Sequence, residues 1–292
     1  MLVTMKEILD KASKEKYGVA APNVDNELNA RACIEAAEEM NSPLILDVAY
    51  SATVDIFFLG RELRELAQQS TVPIAINLDH GQAMEQVMKA IQAGFTSVMI
   101  DRSGCSDEKN IADTKEVVDV AHACGVSVEA EYGHVGQADN YQYDGYNSLT
   151  EAQDAAYFIK ATGVDCLAVA IGTAHGAYPK GMKPYIDFDR LKEIKEATNN
   201  FPLVLHGSSG TDLELLRKAC TMGINKININ NDLCQAIVKT IKEGDFEGNK
   251  AYFVLSKVKQ AVKDKLKELI EIYGSKDKAW EVKPKGLPTF EK

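Results

Sequence analysis

Short apolar runs alternate with amphipathic segments eight times along the chain. The runs are apolar at nearly every position and predict strands at 17–24, 43–49, 72–78, 97–100, 126–131, 165–172, 202–205 and 226–229. Apolar residues spaced three and four positions apart predict helices at 5–15, 27–40, 55–69, 84–93, 110–124, 151–162, 188–198, 212–222, 232–242 and 251–273. Strands that are apolar on both faces are typical of parallel strands covered by helices.

Eight strand–helix units favour a closed (β/α)8 barrel, a TIM barrel of the α/β class, over an open doubly wound sheet. An extra N-terminal helix precedes the first strand, and a C-terminal helical extension follows the last unit. No low-complexity segment or linker divides the units. We therefore predict a single domain over residues 1–292.

The composition is that of an ordinary globular protein, with 45% hydrophobic and 26% charged residues. The net charge of −10, without a basic block, makes nucleic acid and anionic membranes poor partners. No apolar run approaches the roughly 18 residues of a membrane span, and the charged N-terminus is unlike a signal peptide. The six cysteines are scattered without a C-x-x-C pair, which indicates reduced thiols in a cytoplasmic protein.

Polar side chains lie at the ends of several predicted strands, where active sites of such barrels are built. The set is Asn23, Asp79, His80, Asp101, Glu131, His175, His206, Asn228 and Asn230. In A-I-N-L-D-H-G at 75–81, an acid and an imidazole directly follow a buried run, which is costly unless a partner is present. A helix cap formed by Asp79 is the alternative.

Three of the five histidines, His80, His175 and His206, follow predicted strands three, six and seven. Three imidazoles on one barrel rim can converge on a tetrahedral cation and leave a fourth position open, as in catalytic zinc sites. The alternative for each is an ordinary hydrogen-bonded histidine. His122 falls in a helix, where we expect it to pack or to face solvent, and His134 falls in the loop after strand five.

Glycine-rich turns follow two of these histidines. H-G-S-S-G at 206–210 directly precedes a helix, and A-H-G-A-Y-P-K-G at 174–181 contains Lys180. Glycine lets the backbone approach a ligand, and a helix N-terminus favours an anion. Together with N-I-N-N at 228–231, these loops predict a phosphate seat at the usual place in this barrel. Plain turn chemistry is the alternative.

A metal, a carboxylate at Asp79 and a phosphate seat favour reversible carbon–carbon cleavage of a phosphorylated carbonyl compound. Asp79 would carry a proton to or from the substrate hydroxyl. The other route to such cleavage needs a Schiff-base lysine at a strand end. Lys226 starts predicted strand eight, so we expect it to point to the opposite rim.

The chain resembles the class II, zinc-dependent ketose-bisphosphate aldolases, which include fructose- and tagatose-bisphosphate aldolases. The resemblance rests on L-D-H-G, V-E-A-E-Y-G, A-I-G-T-A-H-G-A-Y, L-V-L-H-G-S-S-G and K-I-N-I-N, which occur in family order over about residues 5–275. It implies that Asp79 is the proton donor and acceptor. It also implies that His80, His175 and His206 bind Zn²⁺.

The resemblance implies further metal and substrate residues. Glu131 matches a carboxylate that holds the metal in an alternate or second position, and Asp101 matches another proposed ligand of a second metal. We expect the substrate to be bound by Asn23, Gly176, Lys180, Gly207, Ser208, Ser209, Asn228, Ile229, Asn230 and Asn231. Of these, Gly176, Gly207, Ser209 and residues 228–231 match the family's seat for dihydroxyacetone phosphate. Members of the family also use a monovalent cation near this phosphate.

Three regions beside the site depart from the family pattern. The loop after strand five reads G-H-V-G-Q-A-D-N-Y, which makes Asp139 our candidate for the second catalytic acid/base, with His134 or Tyr141 as substitutes. After strand four, M-I-D-R-S-G places Arg102 beside the site, and after strand eight Asn230 stands where the family commonly has an aspartate.

The arginine that bisphosphate enzymes use for the distal phosphate also has no counterpart. The corresponding region reads N-K-A-Y-F-V-L-S-K, where Lys250 or Lys257 would have to substitute without the bidentate fork of arginine. The reaction type is therefore better indicated than fructose 1,6-bisphosphate as its substrate.

We therefore predict a zinc-dependent aldolase that cleaves a ketose 1-phosphate or bisphosphate to dihydroxyacetone phosphate and an aldehyde. Two alternatives stay open. A metal-dependent hydrolase on the same barrel usually has H-x-H on strand one, where this chain has Asn23. A sugar-phosphate-binding protein descended from an aldolase is the other. The C-terminal helix and the resemblance suggest a homodimer or homotetramer, although that helix can equally cover the flank of the barrel.

Overall fold

The computed structural model describes residues 1–53, 55–138, 149–179, 181–182 and 184–282. Eight parallel strands form one sheet in the order β1-β8-β7-β6-β5-β4-β3-β2. They are β1 (Val19–Pro22), β2 (Leu44–Ala49), β3 (Ile74–Gly81), β4 (Ser97–Ile100), β5 (Ser127–Tyr132), β6 (Cys166–Val169), β7 (Leu203–Leu205) and β8 (Ile224–Ile229). The first two strands meet at a parallel bridge between Asn23 and Asp47. The sheet is therefore a nearly closed barrel, which confirms the predicted TIM-barrel fold.

Each strand is followed by a helix that covers the barrel. The α-helices are α1 (Met5–Glu15), α2 (Glu27–Glu39), α3 (Ile56–Gln69), α4 (Met84–Ala93), α5 (Asp107–Ala123), α6 (Ala152–Thr162), α7 (Phe188–Ala197), α8 (Leu213–Met222), α9 (Asn231–Glu243) and α10 (Val254–Tyr273). Short 3₁₀ turns span Tyr50–Ala52 and Gly248–Phe253. Among the helices described, none combines the length and apolar character that crossing a membrane requires.

Local sequence explains where several helices begin and end. The hydroxyl of Thr4 accepts a hydrogen bond from the backbone N–H of Glu7 and donates one to the carboxylate of that residue, so Thr4 is the N-cap of α1. Asp55 caps α3 through two backbone N–H groups. Gly94 ends α4 with a φ of 95°, a conformation that residues with side chains adopt at a cost.

The predicted boundaries lie within three residues of the observed ones. The differences that matter for function fall on two strands. β3 continues through Gly81 instead of ending at Leu78, so that Asp79 and His80 belong to the strand itself. β8 begins at Ile224, two residues before the predicted start.

The interior of the barrel changes from apolar to polar along the strands. At the N-terminal end, α1 packs against an apolar layer that includes Val19, Ile45, Ala75, Cys166 and Val204. Side chains two residues further along a strand share the same face. The next inward layer is accordingly formed by four fully buried polar side chains, Asp47, Asn77, Glu129 and Lys226. The layer above it contains Asp79, Glu131, His206 and Asn228 at the C-terminal rim.

Lys226 corrects one sequence-based expectation. It does not start its strand and does not point to the opposite rim, because β8 begins two residues earlier. Its ammonium group is 0% exposed and lies inside the barrel among carboxylates.

Candidate metal centre

Three imidazoles meet at the C-terminal rim of the barrel. The ring centroid of His80 lies 4.9 Å from that of His175 and 4.7 Å from that of His206, and the last two are 5.4 Å apart. One potential ligand atom from each histidine and one from Glu131 all lie within 4.8 Å of one another. Three nitrogens and one carboxylate oxygen form a donor set that suits zinc.

An irregularity in β3 aims His80 at this centre. The residue has a φ of 50°, which is uncommon outside glycine, and the pairing of β3 with β4 shifts register between Leu78 and Gly81. A Cβ atom at Gly81 would lie 2.5 Å from the carbonyl oxygen of Met99, so the strands can approach here only with glycine. Backbone strain of this kind is concentrated at functional sites.

His175 is held through its backbone. Its N–H donates to the carbonyl of Gly136 at 2.8 Å, and its carbonyl accepts from the N–H of Ala138 at 2.7 Å. These bonds also fix the start of the loop that follows β5, directly beside the three imidazoles.

Two carboxylates orient the other imidazoles. Oδ2 of Asp101 lies 2.9 Å from Nδ1 of His80, and Oε1 of Glu129 lies 2.9 Å from Nε2 of His206. The remaining nitrogens, Nε2 of His80 and Nδ1 of His206, lie 3.0 Å apart. A histidine that donates one N–H to a carboxylate presents the lone pair of its other nitrogen to a metal. Two lone pairs at this distance repel each other unless a cation or a proton lies between them.

The charges around the centre favour a bound cation. Glu131 is 1% exposed, and its Oε2 is buried without a hydrogen-bond partner. Burial and the neighbouring charge of Asp101 raise the pKa of Glu131 to about 8. Burial alone would lower the pKa of His80, but the charge of Asp79 and the hydrogen bond to Asp101 raise it to about 10. The residues therefore fit a metal ion, for which Glu131 provides a free oxygen.

The other two imidazoles are held neutral. Burial and the charge of His80 lower the pKa of His175 to about 4 and hold that of His206 well below its usual value. Neutral imidazole is the form of histidine that binds a metal.

Asp79 is positioned as an ionised carboxylate beside the histidines. Its two oxygens accept hydrogen bonds from the side-chain amides of Asn23 at 2.9 Å and Asn228 at 3.0 Å. Burial would raise the pKa of Asp79, but the positive charges of His80 and Lys226 lower it below its usual value. Ala83, and not Asp79, is the N-cap of the following helix, so the alternative role as a helix cap is wrong.

A buried cation connects Asp79 to the histidines. The ammonium of Lys226 lies 2.9 Å from Oε2 of Glu129 and 3.0 Å from Oδ2 of Asp47, and it donates to Oδ1 of Asn228 at 2.7 Å. The same Asn228 side chain donates to Asp79 through its nitrogen. Lys226 thus fixes which way this amide points, and with it the hydrogen bond that Asp79 receives.

A cavity of about 220 Å³, here called the histidine cavity, opens beside these groups. It is lined by Asn23, Ala49, Asp79, His80, His175, Gly176, Gly207, Ser208, Ser209, Asn228, Asn230 and Asn231. At Gly207, with a φ of 66°, an added Cβ atom would lie 2.3 Å from the carbonyl oxygen of Ala174. The cavity adjoins the N-terminus of α9, which begins at Asn231. Glycine backbone, hydroxyls and a helix N-terminus are features of phosphate sites.

Residues 3–278 match the family model described as fructose-bisphosphate aldolase class-II. The chain belongs to the class II fructose-bisphosphate aldolase family. It is accordingly a lyase, and membership in this family implies a sugar phosphate substrate.

Relatives of this class II aldolase cover nearly the whole chain. It is 41% identical to a fructose-bisphosphate aldolase of Thermus caldophilus, over 96% of this chain and all of that protein. It is 37% identical to the uncharacterized protein YdjI of Escherichia coli, again over 96% of this chain and all of that protein. The crystal structure of the YdjI aldolase superposes with a TM-score of 0.86 over 96% of this chain and all of that chain, at 35% identity.

The aldolase fold brings most of the predicted site residues together. The exception among the described substrate-seat residues is Ile229, whose side chain belongs to the core between sheet and helices. Its carbonyl accepts a hydrogen bond from the N–H of Asn23. Lys180, Asp139 and Tyr141 lie outside the described residues.

Other charged candidates near the aldolase site have partners of their own. Arg102 forms an ion pair with Asp113 at 2.8 Å and does not line the cavity. Nδ1 of His134 lies 3.0 Å from the hydroxyl of Ser103 and 3.8 Å from Oε1 of Glu131, close to the candidate metal ligands. His122, on α5, lies 2.8 Å from Asp165, away from the centre.

Four residues of the buried network were not among the predicted site residues: Asp47, Asn77, Glu129 and Lys226. Each is a polar residue inside an otherwise apolar strand, and each lies two positions from an inward-facing neighbour. That period of two is the sequence signal by which they are recognisable. Tyr178 was missed as well: its hydroxyl accepts from the N–H of Ala174 at 2.6 Å and holds the glycine-rich loop in place.

Proposed function

We propose that this aldolase uses Zn²⁺ to cleave reversibly a ketose 1-phosphate or a ketose bisphosphate, such as fructose or tagatose 1,6-bisphosphate. The products are dihydroxyacetone phosphate and an aldehyde. We base this proposal on one observation: an ionised carboxylate, Asp79, lies 3.8 Å from the ligand nitrogen of His80 in the cavity that also contains the glycine-rich loops.

We assign the metal to the three histidines. His80, His175 and His206 would hold it, and Glu131 offers a further oxygen for an alternate or second metal position. When bound, the zinc ion supplies a Lewis acid that polarises the carbonyl of the substrate. Asp101 is here assigned a different role from the predicted second-metal ligand, because it hydrogen-bonds the outer nitrogen of His80.

Asp79 acts on the hydroxyl of the carbon that becomes the aldehyde. It accepts the hydroxyl proton while the adjacent carbon–carbon bond breaks, and the electron pair of that bond stays on the triose phosphate half. The amides of Asn23 and Asn228 hold the carboxylate in place, and the positive charges of His80 and Lys226 keep it ionised. A second acid must then give a proton to the triose phosphate half, and Asp139 is the candidate for that step.

The phosphate of the triose half is assigned to the backbone of Gly176 and Gly207 and to the N-terminus of α9. Ser209 stands between these elements, and its hydroxyl accepts from the N–H of Asp232 at 3.4 Å. Ser208 donates to the carbonyl of Asn228 at 2.7 Å and so ties the loop after β7 to β8. A monovalent cation beside the phosphate would complete the seat.

The test is release of triose phosphate from a panel of ketose phosphates, with and without a chelator. We expect cleavage that is lost on metal removal and restored by zinc. Release of inorganic phosphate without triose phosphate would favour the hydrolase alternative. Binding of the sugars without turnover in the zinc-loaded protein would favour the sugar-phosphate-binding alternative.

We also propose a cytoplasmic homodimer or homotetramer. The six cysteines are all unpaired, as expected for a reducing compartment. Large apolar side chains are exposed on α9, on the adjoining 3₁₀ turn and at the start of α10, namely Val238, Ile241, Tyr252, Phe253 and Leu255. Light scattering of the purified protein measures the oligomeric state directly.

A further inference from the structure

A second cavity, of about 160 Å³, adjoins the histidine cavity and is here called the Asp25 cavity. The two share Asn23, Ala49 and Asn230 in their linings. One extended ligand can therefore occupy both. The remaining walls come from the start of α2 and from the sides of α9 and α10.

The position of the glycine-rich loops decides which part of a substrate enters the Asp25 cavity. Gly176, Gly207 and Ser209 line the histidine cavity but not the Asp25 cavity. The triose phosphate half, which is assigned to these loops, therefore lies outside the Asp25 cavity. Asn23 donates to Asp79 and also lines the Asp25 cavity, so this cavity faces the half of the sugar that leaves as the aldehyde.

The charge of the Asp25 cavity is unsuited to a phosphate. Among its described lining residues, Asp25 carries the formal charge, and the others are amides, apolar residues and Cys234. Oδ1 of Asp25 accepts from the side-chain amides of Asn26 at 2.6 Å and Asn29 at 3.1 Å, which are neutral groups. Burial and the nearby carboxylate of Asp25 raise the pKa of the Cys234 thiol.

The lysines expected to bind a distal phosphate do not reach this cavity. Lys250 forms an ion pair with Asp245 in the segment before α10. Lys257 is exposed on the first turn of α10. Neither is among the residues that line the two cavities.

We propose that the aldehyde half of the substrate is an uncharged polyhydroxylated aldehyde without a second phosphate, and that Asp25 selects against phosphorylated aldehydes. This inference rests on the proposed aldolase function and narrows its substrate from a ketose bisphosphate to a ketose 1-phosphate. The amides of Asn23, Asn29 and Asn230 offer donors and acceptors to hydroxyl groups, while Leu233 and Ile237 contact the carbon chain. A distal phosphate would lie in the field of Asp25 without a described cation to balance it.

The test uses the full-length, zinc-loaded enzyme in the condensation direction. Dihydroxyacetone phosphate is combined with each aldehyde in turn. The aldehydes are both enantiomers of glyceraldehyde and of glyceraldehyde 3-phosphate, together with erythrose and erythrose 4-phosphate. We expect kcat/KM to be at least about tenfold higher for each unphosphorylated aldehyde than for its phosphorylated counterpart. A preference for the phosphorylated aldehydes overturns the inference but leaves the aldolase function intact. Consumption of no aldehyde overturns both.

A charge-removing variant isolates the role of Asp25. Asp25→Asn keeps the size of the side chain and should raise the ratio of kcat/KM for phosphorylated over unphosphorylated aldehyde about tenfold. Asp25→Lys should raise it further, and both effects should shrink at high salt. Asp119→Asn, an exposed change on α5, is the matched control and should leave the ratio unchanged. An unchanged ratio in both Asp25 variants would overturn the assignment of Asp25.

Discussion

Lys226 and His206 bind opposite oxygens of one carboxylate. The ammonium lies 2.9 Å from Oε2 of Glu129, and Nε2 of the imidazole lies 2.9 Å from Oε1. All three side chains are fully buried. The candidate metal centre is therefore built on a charge network in the barrel interior, and disturbing that network should affect stability and metal binding to different degrees.

Lys226→Met should destabilise the fold by about 3–5 kcal/mol, because Asp47 and Glu129 would be left as buried carboxylates without their counter-ion. Urea unfolding measures the change. Lys257→Met, at an exposed site, should stay within about 0.5 kcal/mol of the unchanged protein. Equal stability of the two variants would show that the network is not needed for the fold.

Glu129→Gln should weaken metal binding by about 10–100-fold with little change in secondary structure. The amide oxygen still accepts from His206, but the negative charge that makes the imidazole a stronger ligand is lost. Competition with a chromogenic chelator gives the affinity for Zn²⁺. An unchanged affinity would contradict a positioning role for Glu129.

His206→Ala should abolish both stoichiometric zinc binding and turnover, because it removes one of three imidazoles at the centre. His122→Ala is the control, since this side chain lies on α5 and pairs with Asp165. Metal content by elemental analysis and triose phosphate release are the two measurements. Full activity of His206→Ala would refute the metal assignment.

Asp79→Asn should retain zinc but lower kcat by about 10²–10⁴-fold, because the amide cannot accept the hydroxyl proton. A crystal structure of the variant would show whether the hydrogen bonds from Asn23 and Asn228 still hold the side chain in place. Cleavage at the normal rate would rule out Asp79 as the acid/base.

Lys195 should make the stability rise with pH in the alkaline range. Burial lowers its pKa from 10.5 to about 8, and its ammonium donates to the carbonyl of Phe201 at 2.7 Å. Between these two values the unfolded chain binds more protons than the folded one, so the free energy of unfolding increases with pH.

Relative to Lys195→Met, the unchanged protein should therefore gain about 2 kcal/mol of unfolding free energy between pH 7.5 and pH 10. Urea unfolding of both proteins at a series of pH values measures this difference. The contributions of groups that titrate equally in the two proteins cancel when their free energies of unfolding are subtracted. Parallel pH profiles of the two proteins would contradict the lowered pKa.

The sequence was sufficient for the barrel because each strand is a short apolar run and each is followed by an amphipathic helix. The same order of strands and helices predicts that His80, His175 and His206 lie at one rim. Ile229 was included among the substrate-binding residues because N-I-N-N was treated as one binding segment. Alternate residues of a strand face opposite sides, so Asn228 lines the cavity while Ile229 packs outward.

Other features depend on contacts between distant strands. The positive φ of His80 follows from a register shift against β4, which no local pattern in L-D-H-G reveals. The role of Lys226 depends on Asp47 and Glu129, which come from two other strands. A lone lysine in an apolar run indicates a buried charge, but the partners that make it tolerable are set by the closure of the barrel.

Gly207 cannot gain a side chain without moving the backbone of the neighbouring loop, since the carbonyl oxygen of Ala174 lies 2.3 Å from the position of a Cβ atom. The half of the site assigned to triose phosphate is thus shaped by main chain, whereas the Asp25 cavity is shaped by side chains of α2, α9 and α10. Single mutations can therefore remodel the Asp25 cavity, whereas they hardly change the half assigned to triose phosphate. Under the proposed function, a lineage built on this barrel can therefore acquire new aldehydes one substitution at a time while it keeps the same three-carbon phosphate.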